Sequence, residues 1–200
     1  MLMKALTFSR YRVINIFIMS VLFSVAEIMI ALGANKWFPE LPYTLSLNIL
    51  FMSLEIMRWR GFGAVSAVIG GLAFCFASGA DARQYAIYCI GNLFAMGVLL
   101  FVRKFDRRKI RVNTALTVIY VIIIFVLACV GRYCVSLFFG ADPLMIVQFV
   151  TTDVLSLAFA LVAVLAVRNA DGIFEDQKDY LFRLEDERRK KQEAVDRFGE

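Results

Sequence analysis

Histidine is absent from this chain of 200 residues, and its absence narrows the functions that the sequence allows. Histidine is the commonest general base in enzymes and the commonest ligand of transition metals, so catalytic and metal sites both lose their usual side chain. Cysteine is scarce, and none of the four forms a C-x-x-C pair: Cys75, Cys89, Cys129 and Cys134. All four lie in apolar segments. We therefore expect buried thiols, no metal site and no cofactor.

Apolar residues are what the chain has in abundance. Hydrophobic types make up 60% of the sequence, against about 45 to 50% in a typical soluble domain. The net charge is +5, but the basic residues stand between apolar runs and form no face interleaved with aromatic residues. The composition therefore predicts a protein embedded in the lipid bilayer, with no nucleic acid as a partner.

Six apolar runs are long enough, or nearly long enough, to cross a membrane as helices. They cover 13–34, 42–58, 61–79, 82–102, 115–139 and 143–167, and only the short turn "RWRG" separates the second run from the third. A re-entrant pair is the alternative for these two runs. The pattern predicts an all-α membrane protein with six transmembrane helices, which form a domain over residues 1–168.

The basic residues predict the orientation of the six spans. Nineteen of the 22 lysines and arginines fall at the chain start, in the second and fourth connections, and after the sixth span. Cytoplasmic segments carry such an excess. We therefore predict that both termini are cytoplasmic.

After Val167 the chain becomes highly charged, with eight basic and ten acidic residues. Residues 169–200 are predicted to form a cytoplasmic amphipathic helix, because three acid-before-base pairs stand at i,i+4 spacing. A partial apolar face is predicted from Ile173, Phe174, Tyr180, Leu181 and Leu184. Either the helix is simply solvated or it docks onto a partner or the bilayer surface.

In the predicted topology, the polar residues of the spans are concentrated in the half of each span that is nearer to the outside. A channel or proton path would need polar groups at every depth, so this asymmetry favours a pocket that opens to the outside. The candidate substrate-binding residues are Glu27, Tyr85, Tyr88, Asn92, Arg132, Gln148, Thr152 and Asp153. The alternative is that Arg132 and Asp153 form a structural ion pair and bind nothing. Glu55 is expected to pair with Arg58 at i,i+3 near the cytoplasmic surface.

Small residues at i,i+4 spacing mark close contacts between membrane helices. The third run has two such rows, Gly63, Ala67, Gly71 and Ser66, Gly70, for which internal packing is expected. The first run has Ser20 and Ser24, and this shorter row is the candidate contact with another membrane protein.

The stretch "FPELPYTLSLNILFMSLEIMRWRGFGAVSAVIGG" resembles the substrate-binding S components of energy-coupling factor (ECF) transporters. It is similar to their Pro-containing first outer loop, second helix and glycine-rich third helix, and the overall resemblance covers roughly residues 10 to 168. The resemblance implies a six-helix subunit of a prokaryotic plasma membrane that captures a vitamin or similar micronutrient from outside. It also implies a transmembrane T component and two cytoplasmic ATPases as partners. Ser20 and Ser24 stand at the spacing of the Ala-x-x-x-Ala row through which the family meets its T component.

Two other functions remain open. An MreD-like membrane scaffold for cell-shape or cell-wall machinery has a similar size and helix pattern, but it would not need converging polar groups. An intramembrane enzyme would use Glu27 and Asp153 as an acid/base pair, yet no nucleophile with an adjacent base accompanies them. A Gly-x-x-x-x-Gly-Lys phosphate loop is also missing, so we expect that the chain is not an enzyme. For the pocket, one excess negative charge favours a zwitterionic or amine-bearing ligand with an aromatic ring.

Overall fold

The computed structural model describes residues 2–37 and 45–198, and within these ranges every regular element is a helix. The α-helices are α1 (Leu2–Trp37), α2 (Asn48–Trp59), α3 (Gly63–Ala77), α4 (Ala82–Gly91), α5 (Val98–Phe105), α6 (Arg107–Val112), α7 (Thr114–Leu137), α8 (Met145–Thr152), α9 (Val154–Val167) and α10 (Gln177–Phe198). Short 3-10 helices join α2 to α3 (Arg60–Phe62) and α4 to α5 (Asn92–Gly97). The predicted all-helical class is confirmed.

Four segments of the described chain are long and apolar enough to cross a membrane. They are Phe8–Gly33, Asn48–Ala77, Ala82–Phe105 and Thr114–Leu137. The pair α8 and α9 makes a fifth if it is counted as one span, although its helices are bent by 42°. The protein is therefore a membrane protein with four or five candidate spans. The count of six and the cytoplasmic termini stay predictions. Residues 38–44, which include most of the predicted first outer loop and the start of the second predicted run, lie outside the described residues.

The segment Asn48–Ala77 folds back on itself at Arg60, whose φ of 56° breaks the helix. A Cβ built on Gly70 would lie 2.2 Å from Asn48 Oδ1, although these residues are 22 positions apart. A Cβ on Gly63 would similarly meet Ile56. These contacts make α2 and α3 an antiparallel hairpin, so this segment, which was counted above by its length and composition, does not run as one straight helix. With 12 and 15 residues, the two helices are about 18 and 22 Å long, shorter than a bilayer core of about 30 Å.

Helix α2 lies at the centre of the bundle, and all of its residues are buried. It packs against α1, α3, α7 and α9. The Phe51 ring stacks on Phe23 of α1 at 4.5 Å, and the Tyr120 hydroxyl of α7 donates to the Ser53 carbonyl at 2.8 Å. Conversely, α1 exposes a row of large apolar side chains, including Phe17 and Met29. That surface is suited to contact with lipid.

The small residues of α3 allow this close packing. Gly63 and Gly70 contact α2, as described above, whereas a Cβ on Gly71 would lie 3.1 Å from the Tyr88 backbone of α4. Larger side chains at these positions would push the helices apart. The rows predicted for internal packing therefore do pack internally.

The chain after α9 differs from the predicted tail. Ile173 and Phe174 are not on the tail helix; they precede α10, in a turn where Gly172 has φ 74°. Phe174 is fully buried and meets Tyr120 edge-on at 5.9 Å. The aromatic side chain therefore belongs to the bundle core, because it gains more burial there than on a solvated helix.

Carboxylates beside Phe174 bind arginines of the bundle. Asp176 forms ion pairs with Arg60 and Arg107, and Glu175 pairs with Arg111. Burial lowers the pKa of the Arg107 guanidinium from its ordinary value, and the charge of Asp176 opposes this shift. We call this part of the molecule the Arg107 end. The ion pairs anchor the start of the tail to it.

Candidate functional site

Two glycines bring α4 and α7 into direct backbone contact. A Cβ on Gly131 would lie 2.1 Å from the Gly91 carbonyl oxygen, and a Cβ on Gly91 would lie 2.6 Å from the Arg132 Cα. No other residue fits such a crossing. Each glycine is followed by a polar residue, so the crossing places Asn92 and Arg132 side by side.

Arg132 is the centre of a buried polar group that we call the Arg132 cluster: Tyr88, Asn92, Arg132 and Asp153. Its Nη1 forms an ion pair with Asp153 Oδ2, and its Nε donates to Asn92 Oδ1 at 2.8 Å. The guanidinium lies 4.6 Å from the centre of the Tyr88 ring, as in a cation–π contact. Asn92 in turn donates to the Ala67 carbonyl at 3.3 Å. Five helical segments therefore take part in holding this arginine. It belongs to α7, and its direct contacts come from α4, from the 3-10 helix Asn92–Gly97 and from the α8–α9 junction, while α3 binds Asn92.

Burial decides how strong these contacts are. Arg132 is 2% exposed, Asp153 3% and Asn92 0%. An ion pair in such surroundings is screened little by water, and an unpaired charge there would be costly. The arrangement holds the guanidinium in one position.

Asp153 lies where α8 ends and α9 begins, with φ −94° and ψ 5°. The helical direction changes by 42° at this break. The carboxylate therefore lies at the N-terminus of α9, where the helix dipole favours negative charge. The break turns one apolar run into two helices and aims Asp153 at Arg132.

Glu27 lies beside the cluster and is linked to it through the start of α2. Its Oε2 accepts a hydrogen bond from the Leu47 amide, and the Ser46 amide donates to Ser156 Oγ at 2.9 Å. Ser156 follows Asp153 by one turn of α9. Glu27 Oε1 is buried without a hydrogen-bond partner in the described chain. The second carboxylate of the predicted site therefore joins the same region through the backbone of Ser46 and Leu47.

The three other predicted residues lie on α4 and α8. Tyr85 is half-buried, one turn of α4 before Tyr88, and Gln148 is exposed. The Thr152 hydroxyl donates to the Gln148 carbonyl at 2.8 Å, a bond within α8. The structure thus unites Tyr88, Asn92, Arg132 and Asp153, with Glu27 next to them.

Sequence reasoning missed four contributors to this region. Gly91 and Gly131 set the helix crossing, while Ser46 and the Leu47 amide connect Glu27 to α9. The glycines had a visible signal, since each directly precedes a polar residue inside an apolar run. Ser46 and Leu47 gave none, because a backbone donor leaves no trace in the sequence.

The outward-opening pocket expected at these residues stays a prediction. The two best-formed cavities of the described chain lie at the Arg107 end, and no residue of the Arg132 cluster lines either of them. The larger has a volume of about 1290 Å³. The polar side chains of the cluster instead fill the space between their helices with one another. Ligand entry would therefore require the helices around Arg132 to separate.

Two further expectations are corrected. Ser20 is buried, and Ser24 is half-buried, so this row faces the protein rather than a partner. Glu55 makes no hydrogen bond to Arg58: both of its oxygens are buried without a partner, and Arg58 Nη2 donates to Asn15 at 2.9 Å. Position 55 lies in the buried part of α2, and Arg58 bonds to the neighbouring helix α1 rather than to a side chain of its own helix.

The described residues contain no group of three or more Cys, Asp or Glu side chains arranged to hold a metal ion. What the Arg132 cluster offers chemically is paired recognition, with a guanidinium donor and a carboxylate acceptor beside an aromatic face. Comparison of the chain with protein-family models, with curated proteins and with solved structures found no match.

Proposed function

We propose that this chain is the substrate-binding S component of an ECF-type importer in a prokaryotic plasma membrane. It would capture a small, vitamin-like molecule from outside for ATP-driven uptake. The observation that carries the proposal is the convergence of Tyr88, Asn92, Arg132 and Asp153 from separate helices in a largely apolar bundle. Intramembrane charges that face the interior are typical of substrate sites.

In this proposal, groups of the ligand replace the ion pair between Arg132 and Asp153. As the helices separate, Asp153 would bind an ammonium group of the ligand, and Arg132 would bind its carboxylate. Tyr88 supplies an aromatic surface, with Phe74 at 4.9 Å and Phe149 at 6.3 Å from its ring centre. A zwitterionic or amine-bearing ligand with an aromatic ring fits this set of groups.

Both termini would be cytoplasmic, and a T component with two ATPases would supply the energy. Because Ser20 is buried, the contact with the T component would use the exposed side of α1, which carries Val21, Val25 and Met29. Reporter fusions at the C-terminus test the orientation: a fluorescent protein that folds only in the cytoplasm should be active there. Activity of a periplasmic phosphatase fusion instead would contradict it.

The proposal is tested by purifying the protein in mild detergent and recording native mass spectra. We expect a retained small molecule and copurifying ATPase subunits. Asp153→Asn should lose the molecule because it removes the acceptor for the ammonium group. Gln148→Ala, at an exposed position of α8, is the matched control and should keep it. Retention of the same molecule by Asp153→Asn would contradict the assigned site.

A second candidate, an MreD-like scaffold, is favoured by one observation. The Arg132 guanidinium already has an anion, an amide oxygen and an aromatic ring as neighbours inside the protein. A structural pair of this kind can often be replaced by apolar residues without loss of stability. Recovery of cell-wall or cytoskeletal proteins with the purified chain, and of no small molecule, would favour the scaffold.

A further inference from the structure

Buried polar atoms without a partner are concentrated on two helices. The described chain has nine buried side-chain nitrogen or oxygen atoms that make no hydrogen bond. Three belong to α1 and five to α2: Arg12 Nε, Ser20 Oγ, Glu27 Oε1, both amide atoms of Asn48, both carboxyl oxygens of Glu55 and Arg58 Nε. Native proteins pair nearly all such atoms, so a concentration of this kind requires an explanation.

Glu55 is the most unusual member of this set. It is 1% exposed, and neither carboxyl oxygen has a hydrogen-bond donor. Arg58 stands one turn further along α2 but directs Nη2 to Asn15 Oδ1, which Trp59 Nε1 also reaches at 3.1 Å. The nearest cation on the same helix therefore donates from Nη2 to α1 and makes no hydrogen bond to Glu55, although its charge still acts on this carboxyl group.

The elements packed against α2 supply no counter-charge either. Arg12 of α1 lies over the Phe62 ring at 4.0 Å, and Arg107 of α6 donates to the Met57 carbonyl and binds Asp176. Tyr120 of α7 donates to a backbone carbonyl of α2. Helix α9 carries no titratable side chain, and α3 carries only Cys75, near its far end. Arg60, which directly follows α2, pairs with Asp176. Among the described cations, Arg58 therefore remains as the one whose charge acts on Glu55, and it forms no hydrogen bond with either carboxyl oxygen.

An ionised carboxylate without donors is too unfavourable to persist in such a place, because burial removes its hydration and nothing replaces it. A metal cation would need several oxygen ligands, and no cluster of three acidic or thiol side chains exists in the described chain. A proton needs neither space nor further ligands. We propose that Glu55 is a proton-binding site in the membrane interior.

Glu27 and Arg58, which carry two of the unpartnered atoms, link α1 to α2. Helices α1 and α2 run antiparallel, since Asn15 meets Arg58 and Glu27 meets Leu47. The twelve positions from Asn15 to Glu27 span about 18 Å of helix. We call this interface the α1–α2 seam; it reaches from the Arg107 end to the Arg132 cluster. The inference does not depend on the proposed substrate.

Infrared spectroscopy of the full-length protein in lipid vesicles at neutral pH tests the proposal directly. We expect a protonated-carboxyl stretching band that shifts in D2O and is lost or reduced in Glu55→Gln. Glu193→Gln makes the same substitution at an exposed position of α10 and should leave the band unchanged. A Glu55→Gln spectrum identical to wild type in this region would overturn the proposal.

Thermal unfolding as a function of pH supplies a second readout. The folded protein holds the proton and the unfolded chain releases it once the pH exceeds the ordinary range of glutamate, so the stability of the wild type should fall as the pH rises. Glu55→Gln has no proton to release. The Tm of Glu55→Gln, taken relative to the Tm of the wild type, should therefore rise as the pH rises. Under acidic conditions the two Tm values should approach each other. A difference in Tm that is independent of pH would contradict proton binding.

Discussion

Arg132 and Glu55 are both buried charged residues in an apolar bundle, yet their surroundings are opposite. Arg132 is held by groups from other helices: Asp153, Asn92 and the Tyr88 ring. Glu55 has no hydrogen-bond partner in the described chain, and Arg58, the cation on its own helix whose charge acts on it, donates to Asn15 instead. Location explains the difference. Arg132 follows Gly131, where two backbones touch, whereas Glu55 lies on a short helix surrounded by apolar side chains.

The comparison shows that burial alone does not define a site. A buried charge with several fixed partners is a preorganised recognition element, and its removal should leave other groups stranded. A buried carboxyl with no partner is instead free to exchange a proton, and its removal should cost little. The two residues are thus expected to respond to mutation in opposite ways.

The largest effect is expected for Asp153→Ala. It leaves the Arg132 guanidinium buried without its anion and should destabilise the protein by about 3 to 5 kcal/mol. Unfolding by denaturant in mild detergent measures this loss. The double variant Arg132→Met/Asp153→Leu removes both charges and should recover most of it. Failure of the double variant to recover stability would mean that the loss comes from packing rather than from the stranded charge.

A smaller effect is expected at the Arg107 end, for Asp176→Ala. This change removes the carboxylate that pairs with Arg60 and Arg107, and should cost about 2 kcal/mol. It should also detach the start of the tail, measured as faster proteolysis after residue 170. Asp179→Ala, an exposed neighbour on α10, is the control. Equal protease sensitivity in both variants would contradict the anchoring role of Asp176.

Gly131→Ala tests the helix crossing that positions Arg132. The added methyl group would meet the Gly91 carbonyl, so α4 and α7 must separate at a cost of about 1 to 3 kcal/mol. Gly61→Ala is the control because nothing lies within 4 Å of its Cβ. Equal unfolding midpoints for the two variants would show that α4 and α7 tolerate a wider separation and that the crossing does not fix Arg132.

The smallest effect is expected for Glu55→Met, which replaces the unpartnered carboxyl with an apolar side chain of similar length. The free energy of unfolding at neutral pH should change by less than about 1 kcal/mol. Of these variants, Glu55→Met should differ most from Asp153→Ala in its effect on the free energy of unfolding. A loss as large as the one at Asp153 would mean that Glu55 has a partner after all.

The sequence predicted much of the Arg132 cluster, because polar residues within long apolar runs are expected to face the protein interior rather than lipid. Asn92, Arg132 and Asp153 were placed together by their depth along the predicted spans. The break between α2 and α3 was predicted at the turn 58–61, and the structure has it at Arg60. Whether the two helices cross the membrane or form a re-entrant pair stays a prediction. Phe174 was assigned to a helix face, since helical periodicity does not show that a turn inserts it beside Tyr120.

Glu55 shows a different limit of sequence reasoning. Spacing alone predicted a pair with Arg58, but Asn15 of α1 binds that arginine instead. Likewise, the aliphatic half of α9 argued against polar groups at every depth, whereas α1 and α2 carry buried polar atoms at several points along their lengths. Partner choice in a bundle depends on which helices are neighbours, and local spacing does not contain that information.

The most direct test of the proposed function compares ligand retention with stability in one protein. Native mass spectra should be recorded for the wild type and for Arg132→Met/Asp153→Leu, after unfolding has shown that the double variant is stable. The account predicts a bound small molecule on the wild type and none on the stable double variant. The same molecule on both proteins, or on neither, would contradict a substrate site at Arg132 and leave the cluster a structural feature.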